Sequence, residues 1–531
     1  MGRSMAGSGR LTRFIIRRDF FRLLLWIMSI SFVTFSVPLA LQELYPMQEQ
    51  RDGIAETMRN PAMTAMVGPG DLENYTIGAM TAHQMLLLTA VAVALMNTLL
   101  AVRFTRFEEE AGMMEMVRSL SVDRRSPLLA AMTVLLGINT VLAFVLWIGL
   151  TCLGIEGMES SGALLYGLTL GGVGLFFAGV AVVCAQLVES ARGATTLAMI
   201  VLVGSYVIQS SGNVTESVMI WLSPFGWVTS AQPFSENNGW PIVFLAVSSV
   251  VLGSIAGILQ GKRDLGSGFI HQKPGREHAS AFLKTPLALV LRLQRTGISV
   301  WAIGMLILGL SYGSVLGDLE SFFDGNALLA NMLTGNSDRP VAEQFLPMLM
   351  LVMAFIATIP GILALHKLVG EEKKGRVDSV LGRRVSRTQL MGGYVFVAVM
   401  NGVVMNSLAA IGLWLAGRSV MAEPLTIATV FGASAVQLPA IAVMIGVSSL
   451  LIGIAPRWSS LVWLYIVYSF VTLYLGSLFQ VPDWAARLSP FGWVSEWPSE
   501  SVNWMAECSL LGTAAVLVVI GLFGYRRRDI L

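Results

Sequence analysis

Charge is scarce in this sequence. Asp, Glu, Lys and Arg make up 13% of its 531 residues against 55% hydrophobic, too little to clothe a soluble domain of that length, so a bilayer is the solvent the composition requires. Histidine is scarcer. His83, His271, His278 and His366 are scattered, without metal-ligand spacing or a visible nucleophile–base pair, and give no sign of a metal site or catalytic centre. Cys152, Cys184 and Cys508 sit in or at the ends of apolar stretches and imply no structural disulfide. No Gly-x-x-x-x-Gly-Lys-Ser/Thr string occurs, and no polar segment is long enough to house a nucleotide-binding domain. Ten-residue alternation of apolar and polar positions is also absent, which argues against a membrane β-barrel. The net charge of +2 gives no reason to expect a nucleic-acid partner.

What the chain has is long uncharged runs. Twelve stretches of 18 to 33 residues lack Asp, Glu, Lys and Arg: 23–42, 74–102, 126–155, 160–188, 193–215, 237–261, 296–317, 344–366, 388–417, 424–456, 458–482 and 508–525. About 20 apolar residues cross a bilayer as a helix, and with the barrel set aside each stretch reads as one helix. If the chain ends lie inside, 30 of the 35 Lys and Arg fall in cytoplasmic segments, and only Arg51, Arg59, Arg339, Arg418 and Arg487 fall outside. That is the polarity the positive-inside rule demands. The expectation is a multi-pass protein of the inner (cytoplasmic) membrane with both termini cytoplasmic. Residues 23–42 are too long, and lack the small-residue site, for a cleavable signal. The arginine-interleaved residues 11–22 before them suit a helix lying in the interface, and simple positive-inside anchoring explains the arginines equally well.

The chain also repeats itself. Leu222-Ser-Pro-Phe-Gly-Trp-Val228 returns as Leu488-Ser-Pro-Phe-Gly-Trp-Val494, 266 positions on. Phe107-Glu-Glu-Glu-Ala-Gly112 matches Gly370-Glu-Glu-Lys-Lys-Gly375, and Val122-Asp-Arg124 falls on Val385-Ser-Arg387. Lys262-Arg-Asp264 matches Arg527-Arg-Asp529, and more weakly Arg17 and Trp26 stand beside Arg292 and Trp301. Six spans per half is an even number, so the halves run the same way. The fold class is therefore an all-α membrane protein with twelve transmembrane helices in two parallel six-helix repeats, 1–265 and 284–531, joined by a cytoplasmic linker, 266–283. In each half the connection between the second and third spans carries Glu-Glu-x-x-Gly and then roughly 15 mixed-charge residues, long enough for a cytoplasmic helix. A single such run is ordinarily a solvated face; its retention in both halves favours a placed role.

On the Arg-x-x-Arg-x-Glu-Glu-Glu-Ala-Gly string of residues 103–112, its echo at 371–375, the two Ser-Pro-Phe-Gly-Trp strings and the two Arg-Asp tails, the sequence resembles the duplicated permeases of ABC exporters, especially the polyketide-antibiotic (tetronasin-type) exporters. The resemblance covers essentially the whole chain. It implies export driven by two copies of a separately encoded ABC ATPase subunit, a homodimer carrying ATP and magnesium, with no cofactor in this chain and no enzymatic activity of its own. It also implies that the connection between the second and third spans is a coupling helix docked on the ATPase, a role that falls to Glu108, Glu109, Gly112, Glu371, Glu372 and Gly375. The second copy departs from the first, with Lys373 and Lys374 where the first has Glu110 and Ala111.

The Ser-Pro-Phe-Gly-Trp elements fall outside, just before the closing span of each half. Proline interrupts a helix and Phe and Trp favour the interface, so Pro224, Phe225, Trp227, Pro490, Phe491 and Trp493 are candidates for an extracellular gate, an aromatic belt being the plainer reading. Polar residues within spans, His83, Gln84, Asn97, Tyr206, Gln209, Gln344, Tyr465 and Tyr468, are candidates to line a substrate pathway or to bond a neighbouring helix. With no Asp, Glu, Lys or Arg in any span, amphipathic or lipophilic cargo fits better than a strongly ionic one. The rival reading is a proton-coupled secondary multidrug transporter of the major facilitator kind. That class has short outer loops and a Gly-x-x-x-Asp signature after the second span, whereas here the first outer loop runs over 43–73 and Glu-Glu-x-x-Gly stands in the signature's place.

Overall fold

The computed structural model describes residues 7–59, 63–64, 67–119, 122–215, 218–270, 278, 283, 285–318, 341–421, 424–474 and 482–528. His271, Asp529, most of the expected linker and residues 475–481 of the eleventh expected span lie outside these. Two compact units divide the chain, Met1–Gly275 and Arg276–Leu531, and each has its own apolar core.

Eleven helices among the described residues are long and apolar enough to cross a membrane. In the first unit they are Ser8–Leu44, Ile77–Glu110, Ser126–Cys152, Ser160–Leu187, Ala191–Asn213 and Trp240–Lys262; in the second, Pro286–Ser314, Ala342–Lys373, Arg387–Val420, Ile427–Ile454 and Trp504–Arg527. A shorter apolar helix, Leu461–Tyr474, falls where the eleventh span is expected. Local sequence explains where several begin. Thr76, Thr285 and Asn503 accept the backbone N–H three residues on, Ser386 and Gln389 form a reciprocal capping box, and Pro127, Pro241 and Pro286 stand in first turns, where no N–H is missed.

Three sequence expectations are corrected. Residues 11–22 are not a separate interfacial helix, because Ser8–Leu44 is one continuous helix of 37 residues. The tenth span, Ile427–Ile454, is interrupted by a turn at Val436 and Gln437 into the pieces Ile427–Ala435 and Leu438–Ile454, with Pro439 in the first turn of the second. The helix expected in the roughly 15-residue stretch after each Glu-Glu-x-x-Gly fills only part of it: Met113–Arg118 in the first unit and Arg376–Leu381 in the second, six residues each.

Packing follows the membrane rule that small residues let backbones approach. Helices Pro286–Val315 and Arg387–Val420 meet so closely that a Cβ on Gly309 would lie 2.1 Å from the carbonyl oxygen of Ala409, and one on Gly412 2.4 Å from that of Leu306. Large apolar side chains such as Leu25, Phe32, Val250, Val300, Ile307 and Leu464 remain on the outside, as a hydrocarbon surround permits.

Candidate functional site

In the first unit the second long helix runs on through a π-turn, Arg103–Phe107, into Glu108–Glu110. Gly112 then ends it in the left-handed conformation, φ +74°, with its N–H donating to the carbonyl of Glu109 at 3.1 Å. The Glu109 carboxylate is turned inward. Arg263, the first residue beyond the last helix, donates to its Oε2 at 2.6 Å and its Oε1 at 2.7 Å; Arg106 donates at 3.0 Å and the Gly266 N–H at 2.7 Å. These side chains are sequestered, with Arg106, Glu109 and Arg263 retaining 1%, 5% and 8% exposure. Glu108 instead pairs with Arg18 of the first helix, where buried Asp19 also gathers Arg18, Arg22 and Arg103. Arg124 donates to the Arg263 carbonyl, Gln186 accepts from Arg263 Nε at 2.7 Å, and Glu110 accepts the Ala191 N–H at 2.8 Å. Residues at the ends of all six long helices therefore meet in one polar cluster: the starts of the first, third and fifth, and the ends of the second, fourth and sixth.

The second unit repeats the centre of this arrangement. Gly375 is left-handed at φ +65°, and its N–H donates to the Glu372 carbonyl at 2.8 Å. Arg528, just past the last helix, donates from Nη2 to Glu372 Oε1 and Oε2 at 2.8 and 2.6 Å. Arg387, which matches Arg124, donates to the Arg528 carbonyl at 2.7 Å. The surroundings differ. Val369 stands in place of Arg106, and Glu371, matching Glu108, is buried and pairs among the described residues with Lys367 and Arg376, at 3.4 and 3.3 Å.

Six of the expected residues, Glu108, Glu109, Gly112, Glu371, Glu372 and Gly375, thus sit together within their own units, but the carboxylates of Glu109 and Glu372 are taken up by arginines of the same chain. Arg18 and Asp19 carry no motif in the sequence, and Arg106 stands in the Arg-x-x-Arg-x-Glu-Glu-Glu-Ala-Gly string without a role assigned to it. Arg124, Arg263, Arg387 and Arg528 stand inside repeated motifs, and it was the repetition, not any single string, that carried their signal.

At the opposite end of the helices, the two Ser-Pro-Phe-Gly-Trp elements share a bond. Trp227 Nε1 donates to the Trp221 carbonyl at 2.8 Å and Trp493 Nε1 to that of Arg487 at 2.7 Å, six residues back in each case. Pro224, Phe225, Pro490 and Phe491 are buried. Phe225 stacks on Phe177 and Phe491 lies against Phe355, with ring centres 5.2 and 4.3 Å apart. Tyr465 and Tyr468, proposed for a pathway, donate their hydroxyls to the carbonyls of Leu488 and Ala485, each at 2.8 Å, and so hold this segment. His83 lies between the Tyr75 hydroxyl and the Gly68 carbonyl, 2.9 Å from each, and Gln84 reaches the same hydroxyl at 3.4 Å. Asn97 is fully buried and exchanges amide hydrogen bonds with Asn139 at 3.0 and 2.6 Å. Tyr206 meets the Phe225 ring edge-to-face, and Gln344 is half-buried. Gln209 is fully buried, with no partner for either amide atom among the described residues.

A family model described as "Multidrug efflux system permease Rv1217c, C-terminal domain" matches residues 14–259 and 283–526. The chain belongs to this family. It is also 29% identical over 535 positions to the multidrug efflux system permease protein Rv1217c of Mycobacterium tuberculosis (strain ATCC 25618 / H37Rv), covering all of this chain and 96% of the relative. Membership agrees with the long apolar helices, and a multi-pass membrane permease is what sequence, structure and family together describe. The two matched stretches each enclose one Glu-Glu-x-x-Gly turn and one Ser-Pro-Phe-Gly-Trp element, the features the two units hold in common.

Proposed function

We propose that this chain is the membrane permease of an ABC exporter, moving amphipathic or lipophilic compounds out across the cytoplasmic membrane on energy from two copies of a separate ATPase subunit that carries ATP and magnesium. The observation that carries the reading is the pair of Gly-ended turns, Gly112 and Gly375, each followed by a six-residue helix and braced from behind by a buried ion pair. Such a braced projection suits docking by another protein. Its placement among most of the chain's basic residues supports a cytoplasmic face by the positive-inside rule, and both termini then lie on that face. The relative's printed name, a multidrug efflux permease, supports outward movement of varied compounds. Low charge within the spans favours uncharged or amphipathic cargo over strongly ionic solutes.

The test is reconstitution. The chain in vesicles with its partner ATPase is expected to give cargo-stimulated ATP hydrolysis and ATP-dependent movement of a lipophilic dye. Transport by the chain alone, driven by a proton gradient without ATP, would replace this reading with that of a secondary transporter. Reporters after Leu531 and near Asn237 are expected to lie on opposite faces, the first cytoplasmic.

A further inference from the structure

The last long helix of each unit packs along one narrow face, close enough in the second that a Cβ on Gly453 would lie 2.0 Å from the Gly521 carbonyl oxygen. Trp240–Lys262 buries Pro241, Leu245, Gly253 and Ala256, and Trp504–Arg527 buries Glu507, Leu510, Ala514, Gly521 and Tyr525. The residue that follows it is gripped at two points. The side chain of Arg263 binds Glu109 while its carbonyl accepts from Arg124; the side chain of Arg528 binds Glu372 while its carbonyl accepts from Arg387. Fixing both side chain and main chain of one residue leaves it little freedom to rotate or slide. The three sequence pieces involved are separated by up to 156 positions, yet they converge identically in both units, while Arg106 and Asp19, which enlarge the cluster in the first, have no charged counterpart in the second, where Val369 and Gln294 stand. A charged pair this sheltered loses far more when one partner is removed than an exposed pair does.

We propose that Arg263 and Arg528 are positioning residues that fasten the last helix of each unit to the Glu-Glu-x-x-Gly turn, so that a push on the turn is delivered to that helix as to one rigid piece. The delivery half of this inference rests on the reading that the turns meet an ATPase. The fastening half does not.

The experiment has two arms, each using the full chain in lipid nanodiscs. In the first, without any ATPase, amide hydrogen exchange is followed in residues 372–381 and 520–527. Arg528→Gln is expected to speed exchange about tenfold in both segments, and Glu372→Arg combined with Arg528→Glu to restore most of the protection. In the second arm, with the ATPase bound, Arg528→Gln is expected to lower cargo-stimulated kcat for ATP hydrolysis several-fold with KM for ATP unchanged, and the reversed pair to recover it. Arg263→Gln alone serves the first unit, where an arginine at position 109 would face Arg106. Unchanged exchange in both Gln variants overturns the fastening. Altered exchange with full stimulation overturns delivery to the helix. If no ATPase stimulates even the unaltered chain, the exporter reading fails and takes the delivery with it, and the exchange arm alone still decides the fastening.

Discussion

Glu372 binds one nitrogen of Arg528 with both carboxylate oxygens, at 2.8 and 2.6 Å. Glu371, one residue earlier and equally buried, pairs among the described residues with Lys367 and Arg376, whose side chains keep 36% and 63% exposure. The two adjacent glutamates therefore do different work. Glu372→Gln removes one partner of a sheltered pair and is expected to cost about 3 kcal/mol. Glu371→Gln frees two cations that solvent can take up and is expected to cost less, about 1–2 kcal/mol. Thermal unfolding of the purified chain checks both.

Asp19, with 3% side-chain exposure, collects Arg18, Arg22 and Arg103. Asp19→Asn leaves three cations facing one another and is expected to destabilise the first unit by about 3 kcal/mol, near the lower end for such pairs because the arginines stay partly in solvent. Proteolysis near residues 7–22 reports whether the first helix has come loose.

Gly112 and Gly375 have no atom within 4 Å of where a Cβ would stand, so substitution there tests backbone conformation and not packing. Gly112→Val is expected to cost about 1–2 kcal/mol from the left-handed φ, while Gly112→Asn, whose side chain tolerates that region, costs less. Equal melting temperatures for the two variants would contradict this.

The Asn97–Asn139 pair joins the second and third helices of the first unit. Replacing either Asn with Leu orphans the other amide and is expected to cost about 1–2 kcal/mol. Replacing both removes the orphan and regains most of that. Transport by the double variant separates helix pairing, which predicts retention, from a substrate-lining role for Asn97, which predicts loss.

Spans were legible because a bilayer imposes a single coarse rule, uncharged length, and the stretches from 74 to 102 and from 126 to 155 need nothing more. Helix ends were less so. The continuous Ser8–Leu44 helix hides its passage from polar to apolar surroundings, since its arginines pair with acidic neighbours such as Asp19 and Glu108. The break at Val436–Gln437 carries no charge to announce it. The repeat exposed Glu109, Arg124 and Arg263 as matched to Glu372, Arg387 and Arg528, but not that each trio meets: contacts spanning more than 130 residues leave no periodic trace in a sequence. Polar residues within spans stay open between a pathway and a structural bond for the same reason. Tyr465 and Tyr468 satisfy loop carbonyls, and nothing local in the sequence distinguishes a tyrosine that steadies a loop from one that faces a cavity.

The inequality of the two polar clusters bears on mechanical compliance. In the first unit, ends of six long helices are cross-braced through Asp19, Arg106, Glu109 and Glu110; in the second, among the described residues, the Glu372–Arg528–Arg387 trio joins three. A given load at the two turns strains the second more than the first. Heat or denaturant is then expected to loosen the carboxyl-terminal unit before the amino-terminal one.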